Sequence, residues 1–378
     1  MRTAPGAPCV RPAAPPPWPP EPVAAVAPPA TIVREFARQA EPGGERPMLW
    51  SREREGWLAW RWRDVERQAV VVAAGLVGAG VLPGDRVVLL SGDRAEAVTC
   101  LLAVLMAGAV PVPVDPTLPA GAAQAIVRRS GAGLAIAADE ATAARLHLTD
   151  TLSRIIRLDG QVARWSSGAP GAHHQELLRR VSRLRPGDAA AELWGPDEPL
   201  VVTHAELVAA AAARVAGLGL GPRDVVLSLL PPGRVVERTL AAALAITAGA
   251  RLCLGRLTAP CVVDVRVVRP TVVLATTGAL EALRSVVTAP GRLGRLEGAV
   301  LRCATGVAES GSPLGGRLRL TRRLALHGLR RELGGGRLRL VLSADGPPSG
   351  ALQAFHVAVG VPVIAGCLDP PRPAERPG

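Results

Sequence analysis

The chain has 378 residues, of which 48% are hydrophobic, and its mean hydropathy of +0.25 belongs to a globular protein able to bury a substantial core. It carries 44 cationic residues, every one an arginine, against 32 acidic ones, for a net charge of +12; lysine, asparagine and tyrosine are absent. The charge admits an anionic partner. However, the arginines are spread along the chain, and the densest run, Arg317–Arg339, has no tyrosine or phenylalanine to stack on bases, so a nucleic-acid interface is not expected.

Residues 1–30, rich in proline and alanine, read as a disordered or polyproline-like leader. Ile32–Gln39 suits a short helix, and Trp50–Trp62, with four tryptophans, a strand pair. Asp64–Gly78 reads as a helix with Asp64 as its N-cap. Strands are then expected at Val87–Leu90, Val110–Val114 and Leu134–Ala137, with helices at Ala95–Ala107 and Ala120–Ser130. Residues 138–200 are less regular, with one short strand at Arg154–Leu158 and a polar linker around Trp165–His174. A second alternating block follows. Its strands are Val225–Leu230, Arg251–Leu254, Val272–Ala275, Leu338–Ser343 and Val361–Ile364. Its helices are Ala205–Gly217, Arg238–Ala248, Ala279–Val287, a basic Leu318–Leu333 and Gly350–Val359. Strands alternating with helices imply parallel sheets covered on both faces. The division expected is a leader (1–30), a first α/β lobe (31–137), a linker (138–200), a second α/β lobe (201–366) and a proline-rich tail (367–378).

The six cysteines, Cys9, Cys100, Cys253, Cys261, Cys303 and Cys367, show no metal-binding spacing, and several lie in apolar runs, as free thiols of a reducing cytosol do. No secretory leader is visible. Ala97–Val114 holds 18 residues without a charge, long enough for a membrane span, but Gly108, Pro111 and Pro113 break it into a core helix and a buried strand.

Several stretches carry a resemblance. Gly80-Val81-Leu82-Pro83-Gly84-Asp85-Arg86 opens one buried strand, and Gly108-Ala109-Val110-Pro111-Val112-Pro113 forms the next. Later come Leu229-Leu230-Pro231-Pro232-Gly233-Arg234-Val235-Val236-Glu237-Arg238, Arg269-Pro270-Thr271, Gly334-Gly335-Gly336 and Gly360-Val361-Pro362-Val363. In this order they resemble the N-terminal domain of the AMP-dependent synthetase and ligase family, and within it the long-chain fatty acyl-CoA ligases. The resemblance runs from about Thr31 to Gly366. It implies an α/β fold of two doubly wound parallel-sheet lobes, with the family's C-terminal domain absent. It also implies an activity in which a carboxylic acid reacts with ATP and magnesium to an acyl-adenylate, then with coenzyme A.

The same resemblance places the nucleotide site and shows it altered. The family's phosphate loop, with its glycines, hydroxyls and lysine, precedes a Thr-His pair, here Thr203-His204. Reading back from that pair, one glycine remains, Gly195; Glu198 stands where the lysine belongs, and Glu192 and Asp197 add negative charge. Phosphates bind such loops through backbone N–H groups and positive charge. A histidine of the family is Arg234 here, and its Val-Pro-Arg turn matches Thr276-Thr277-Gly278. Its adenine-contacting Gly-Gly-Ala-Pro strip matches Ala344-Asp345-Gly346-Pro347, and its Tyr-Gly-x-Thr-Glu motif matches Cys367-Leu368-Asp369-Pro370-Pro371.

The candidate site residues are therefore vestigial nucleotide contacts at Gly195, Thr203, His204, Gly346 and Pro347, and an acyl-pocket region at Arg234 and Glu237. No catalytic residue and no metal ligands are assigned. Thr203 also suits a helix N-cap, Glu237 with Arg238 a helix start, and Asp345 a turn. The main reading is an inactive relative that needs no cofactor and binds a fatty acyl ligand or a partner protein. One alternative is an active long-chain fatty acid ligase using ATP, magnesium and coenzyme A, with a second chain supplying the missing half. The other is an arginine-rich binder of nucleic acid or an anionic surface.

Overall fold

The computed structural model describes residues 31–53, 56–92, 94–147, 149–159, 171–194, 198–255, 261–289, 291, 294–309 and 326–366. Two parallel sheets form the frame. The first has the order β4-β3-β5-β6, from β3 (Arg86–Leu90), β4 (Val110–Pro113), β5 (Leu134–Ala137) and β6 (Arg154–Arg157). Val88 registers with Val112 on one side and Ala135 on the other. β4 and β5 are buried along their whole length, as strands covered on both faces must be.

The second sheet has seven strands in the order β13-β12-β11-β9-β10-β1-β2. β9 (Val225–Leu229) lies between β10 (Arg251–Leu254) and β11 (Val272–Ala275); β12 (Leu340–Ser343) and β13 (Val363–Ala365) extend one side. The other side is completed by β1 (Pro47–Arg52) and β2 (Trp57–Arg61). β1 runs parallel to β10, with Trp50 opposite Cys253, and β2 is the antiparallel edge. The tryptophan-rich hairpin is thus a strand pair, but it joins the sheet built by residues 225–365 rather than that of the residues next to it in sequence. The reason is apolar: Trp50 packs into the far face of that sheet, while Met48 and Leu49 face the core between the sheets.

Three apolar clusters follow from this layout. The largest fills the space between the sheets, with Phe36, Leu49, Trp62, Leu102, Ile136, Leu244 and Leu252 among its members. The others cover the outer face of each sheet. Both sheets are doubly covered, as expected from the alternating pattern.

Several elements differ from the sequence reading. The helix expected from Asp64 is Trp62–Gly78, with Arg61 at its N-cap; Asp64 sits one turn inside and its Oδ2 accepts the Arg61 N–H at 3.0 Å. Trp62, fully buried against Phe36 at 5.4 Å between rings, draws the first turn into the core. The polar linker gives way to a helix, Gly171–Arg183, that includes His173 and His174. Leu177 is buried on its inner face, and Leu184, just past its end, is buried one heptad further on. β7 (Ala189–Leu193) and β8 (Leu200–Thr203) pair antiparallel, and β7 lies beside β4. Helices Cys261–Val268 and Arg295–Glu309 were not expected. Of the basic helix, His327–Glu332 is described; residues 318–325 lie outside the described residues. The charge-free run at 97–114 divides between the helix Ala95–Met106 and β4, and among the described residues no helix is long and apolar enough to cross a membrane.

Candidate functional site

In each sheet the first-laid parallel strand, β3 or β9, ends inside the sheet with later strands added on both sides, and ligand crevices of open α/β sheets lie at the carboxyl ends of such strands. Those ends face one another here across a cavity of about 60 Å³. Leu89, Pro113 and Val114 line it from the first lobe, and Ser228, Leu252 and Leu254 from the second. The helices Ala95–Met106 and Val235–Ala248 complete the wall with Leu101, Val235, Arg238 and Ala242. Arg238 joins the lobes at the rim: its Nη1 donates to the Pro232 carbonyl at 3.2 Å and its Nη2 to the Gly92 carbonyl. Close by, Gly233 meets Asp115; a Cβ there would lie 2.7 Å from Asp115 Oδ2 and the carboxylate would have to turn aside, so the loops after β9 and β4 approach closely at this point.

The sequence candidates fall in three places. Arg234 and Glu237 stand at the start of the helix Val235–Ala248 and bind one another at 2.8 Å; the cavity wall takes their neighbours Val235, Arg238 and Thr239. Gly346 and Pro347 lie in the loop after β12. There Ser343 Oγ donates to the Gly346 carbonyl at 2.6 Å, and Gly346 adopts φ +116°, where a side chain is strained. Asp345 in the same loop accepts from Thr277 N–H at 2.7 Å and Thr277 Oγ1 at 3.0 Å, and Arg234 Nη2 lies 3.9 Å away. Its carboxylate thus sits on the N-terminus of the helix Thr277–Val287.

Thr203 and His204 start the helix His204–Leu218. Thr203 is its N-cap: Thr203 Oγ1 accepts the Glu206 N–H at 3.2 Å, and Glu206 accepts the Thr203 N–H at 2.8 Å, a reciprocal capping box. His204 is 1% exposed and its Nδ1 faces the Ile32 N–H at 3.4 Å. Burial pushes its pKa down to about 4, with Asp188 opposing weakly. Both residues hold the helix to the core. Gly195 lies outside the described residues, as do Asp197, Asp369 and the other residues after Gly366.

The flanks of the altered loop are described and fully engaged. Glu192, 4% exposed, accepts from Arg86 Nε at 3.1 Å and from Trp194 Nε1 at 3.0 Å. The Trp194 ring lies 4.6 Å from the Arg129 guanidinium, and Arg129 also pairs with Glu198 at 3.3 Å. The tip of the β7–β8 hairpin is thereby fastened to the first lobe. Sequence reasoning missed Arg86, Arg129 and Trp194 because their partners are far away in the chain. Among the described residues, no group of three His, Cys, Asp or Glu side chains could hold a metal ion.

The sequence model of the AMP-binding enzyme family matches residues 36–366. The chain is 30% identical over 233 residues to a protein of Salinispora arenicola described as a nonribosomal peptide synthetase, CymA, covering 60% of this chain and 3% of that protein. It is 36% identical over 74 residues to a phenyloxazoline synthase of a Mycobacterium species, covering 20% of this chain and 6% of the other. The chain thus spans only a few per cent of these relatives' length. Among solved structures, VinN is similar with a TM-score of 0.67 at 17% identity, over 89% of this chain and 74% of that one. A long-chain-fatty-acid-CoA ligase of Archaeoglobus fulgidus superposes with a TM-score of 0.69 at 15% identity, over 89% and 61%. At these identities the structural likeness establishes the fold: the two-lobed α/β N-terminal domain of acyl-adenylating enzymes.

Proposed function

The chain belongs to the AMP-binding enzyme family, and on that premise we propose that it is a non-adenylating member that binds an acyl ligand in the cavity between its lobes. One observation carries the reading: an apolar cavity is kept at the carboxyl ends of β3, β4, β9 and β10, while the positions that the family gives to the nucleotide bear engaged carboxylates. A phosphate oxygen about 4 Å from Asp345 or Glu198 meets a repulsion of ~4 kcal/mol per charge pair at an effective dielectric of 20. A nucleotide would also have to displace Asp345 from Thr277. These residues do not fit magnesium–ATP. An acyl chain fits the apolar wall, with its carboxylate directed toward the Arg238 guanidinium at the rim.

The test is ATP–pyrophosphate exchange with magnesium and a panel of carboxylic acids, run beside calorimetric binding of the same acids. Binding without exchange is the expected result. Acid-dependent exchange would overturn the reading. It would favour a second one, in which the chain activates carboxylic acids with help from another chain; the similarity to a nonribosomal peptide synthetase supports that alternative.

A further inference from the structure

Two hydroxyl side chains on the cavity wall make no hydrogen bond within the described fold. Ser228, on β9, is 3% exposed, and Ser91, just after β3, is 6% exposed. Both line the cavity, one from each lobe, and among the described residues neither hydroxyl hydrogen-bonds to another group. Strand parity explains why they face it: Val226 and Leu230, two residues either side of Ser228, belong to the cluster between the sheets, as does Leu89 beside Ser91. Both hydroxyls open into the cavity, where a ligand oxygen could take up their free donor and acceptor capacity in place of water. Most of the remaining wall is aliphatic, and Arg238 at the rim already donates to the Pro232 and Gly92 carbonyls. Thr239, the third hydroxyl there, is already bonded to the Val235 carbonyl at 2.8 Å.

Size sets a second limit. A cavity of roughly 150 Å³ takes a benzene ring, whereas this one measures about 60 Å³. It suits a chain of a few carbons.

We propose that the acyl group taken by this cavity is short and carries its own hydroxyl or oxo oxygen, which hydrogen-bonds to Ser91 and Ser228. The proposal rests on the acyl-binding reading above and names the ligand class. A site that hydrogen-bonds a ligand oxygen rejects the analogue lacking it, because its own polar groups are then left unpaired.

Calorimetry on the full chain with butanoate, 3-hydroxybutanoate, 4-oxopentanoate and octanoate tests it. The oxygenated short acids should bind at least ten-fold tighter than butanoate, and octanoate more weakly still. Ser228→Ala and, separately, Ser91→Ala should reduce 3-hydroxybutanoate to the level of butanoate. Thermal stability should hold, since neither hydroxyl is bonded to the described fold. Equal affinity for butanoate and 3-hydroxybutanoate, tighter binding of octanoate, or variants that bind like the parent would overturn the proposal and leave the acyl-binding reading standing. If no acid of any length binds, the acyl-binding reading falls, and this proposal with it.

Discussion

Lowering the pH from 7.5 to 5.0 should weaken this fold by several kcal/mol, through two histidines. His204 and His356 are 1% and 3% exposed, and burial pushes both pKa values down to about 4 from an ordinary 6.5. The opposing carboxylates, Asp188 beside His204 and Glu281 beside His356, recover only part of the shift. Because the folded-state pKa is the lower one, the unfolded chain binds more protons between pH 6.5 and 4, and stability falls as the pH drops through that window. A shift of about 2.5 units is worth ~3.4 kcal/mol once both states are protonated, and about 2 kcal/mol per histidine at pH 5. Urea unfolding at pH 7.5 and 5.0 should therefore differ by roughly 4 kcal/mol, with the carboxylates contributing mainly at lower pH. His204→Gln, which keeps an acceptor for the Ile32 N–H, should remove about half of the difference, and His356→Gln the other half. An unfolding free energy equal at the two pH values, or variants that keep the full slope, would refute the assignment.

Arg86→Ala should cost about 1–3 kcal/mol in urea unfolding. It strands the buried Glu192 with Trp194 as its remaining donor, but Arg86 is itself nearly half exposed and its attraction is screened. Adding Glu192→Gln should restore most of the loss, and a cost unchanged by the second substitution would contradict the pairing. Thr203→Ala should lower stability by about 1 kcal/mol, the usual worth of an N-cap, with circular dichroism melting as the check. In the native protein a thiol reagent should label the exposed Cys303, as peptide mapping would show, and Cys303→Ser should remove that peptide's label. Cys100 and Cys253, whose thiols burial pushes up to about 12, should react only on unfolding.

The frame was legible because buried parallel strands are written as short apolar runs between glycine and proline. Leu134–Ala137, Arg251–Leu254 and Val272–Ala275 are strands with the expected bounds. The sheet to which β1 belongs was not legible, because Trp50 meets Cys253 across two hundred residues. β7 escaped notice because Ala189–Leu193 has no β-branched residue and carries Glu192, a charge tolerable in a buried strand only with a partner 106 residues away. The residues named for an acyl pocket, Arg234 and Glu237, are not on the cavity wall itself. Arg234 and Glu237 mark the helix that forms it, while the helix turns their side chains to one another and presents Val235, Arg238 and Thr239 instead. Ser91 and Ser228 gave no signal, since a serine at the end of an apolar strand reads as ordinary punctuation until two strands from different sheets are brought face to face.

The arginines show how a chain without lysine holds this scaffold together. Beyond ion pairs, several donate to backbone carbonyls where loops and helices end. Arg180 reaches Val81 at 2.7 Å and Ala107 at 3.2 Å, and Arg339 reaches Leu218 at 3.1 Å and Gly219 at 3.0 Å. Arg330 reaches Val359 at 3.0 Å, while Arg238 spans Pro232 and Gly92. Last-turn carbonyls of a helix have no partner within it, and a guanidinium with five donors in a rigid fork can serve two of them at once. Arg339 adds an ion pair with Asp224 at 2.8 Å, and Asp224 Oδ1 accepts from Thr271 Oγ1 at 2.6 Å. That gives the Arg269-Pro270-Thr271 stretch, first noticed as a family likeness, a structural task at the amino ends of β9 and β11. Elsewhere the guanidiniums pair with carboxylates: Arg86, at the amino end of β3, with Glu192, Arg129 with Glu198, and Arg234, after the carboxyl end of β9, with Glu237. Arg339 with Asp224 and Thr271 thus fastens the amino ends of β9, β11 and β12, while Arg238 fastens the loops after the carboxyl ends of β3 and β9, so the scaffold is held at both ends of its strands by a side chain that reaches two acceptors at once.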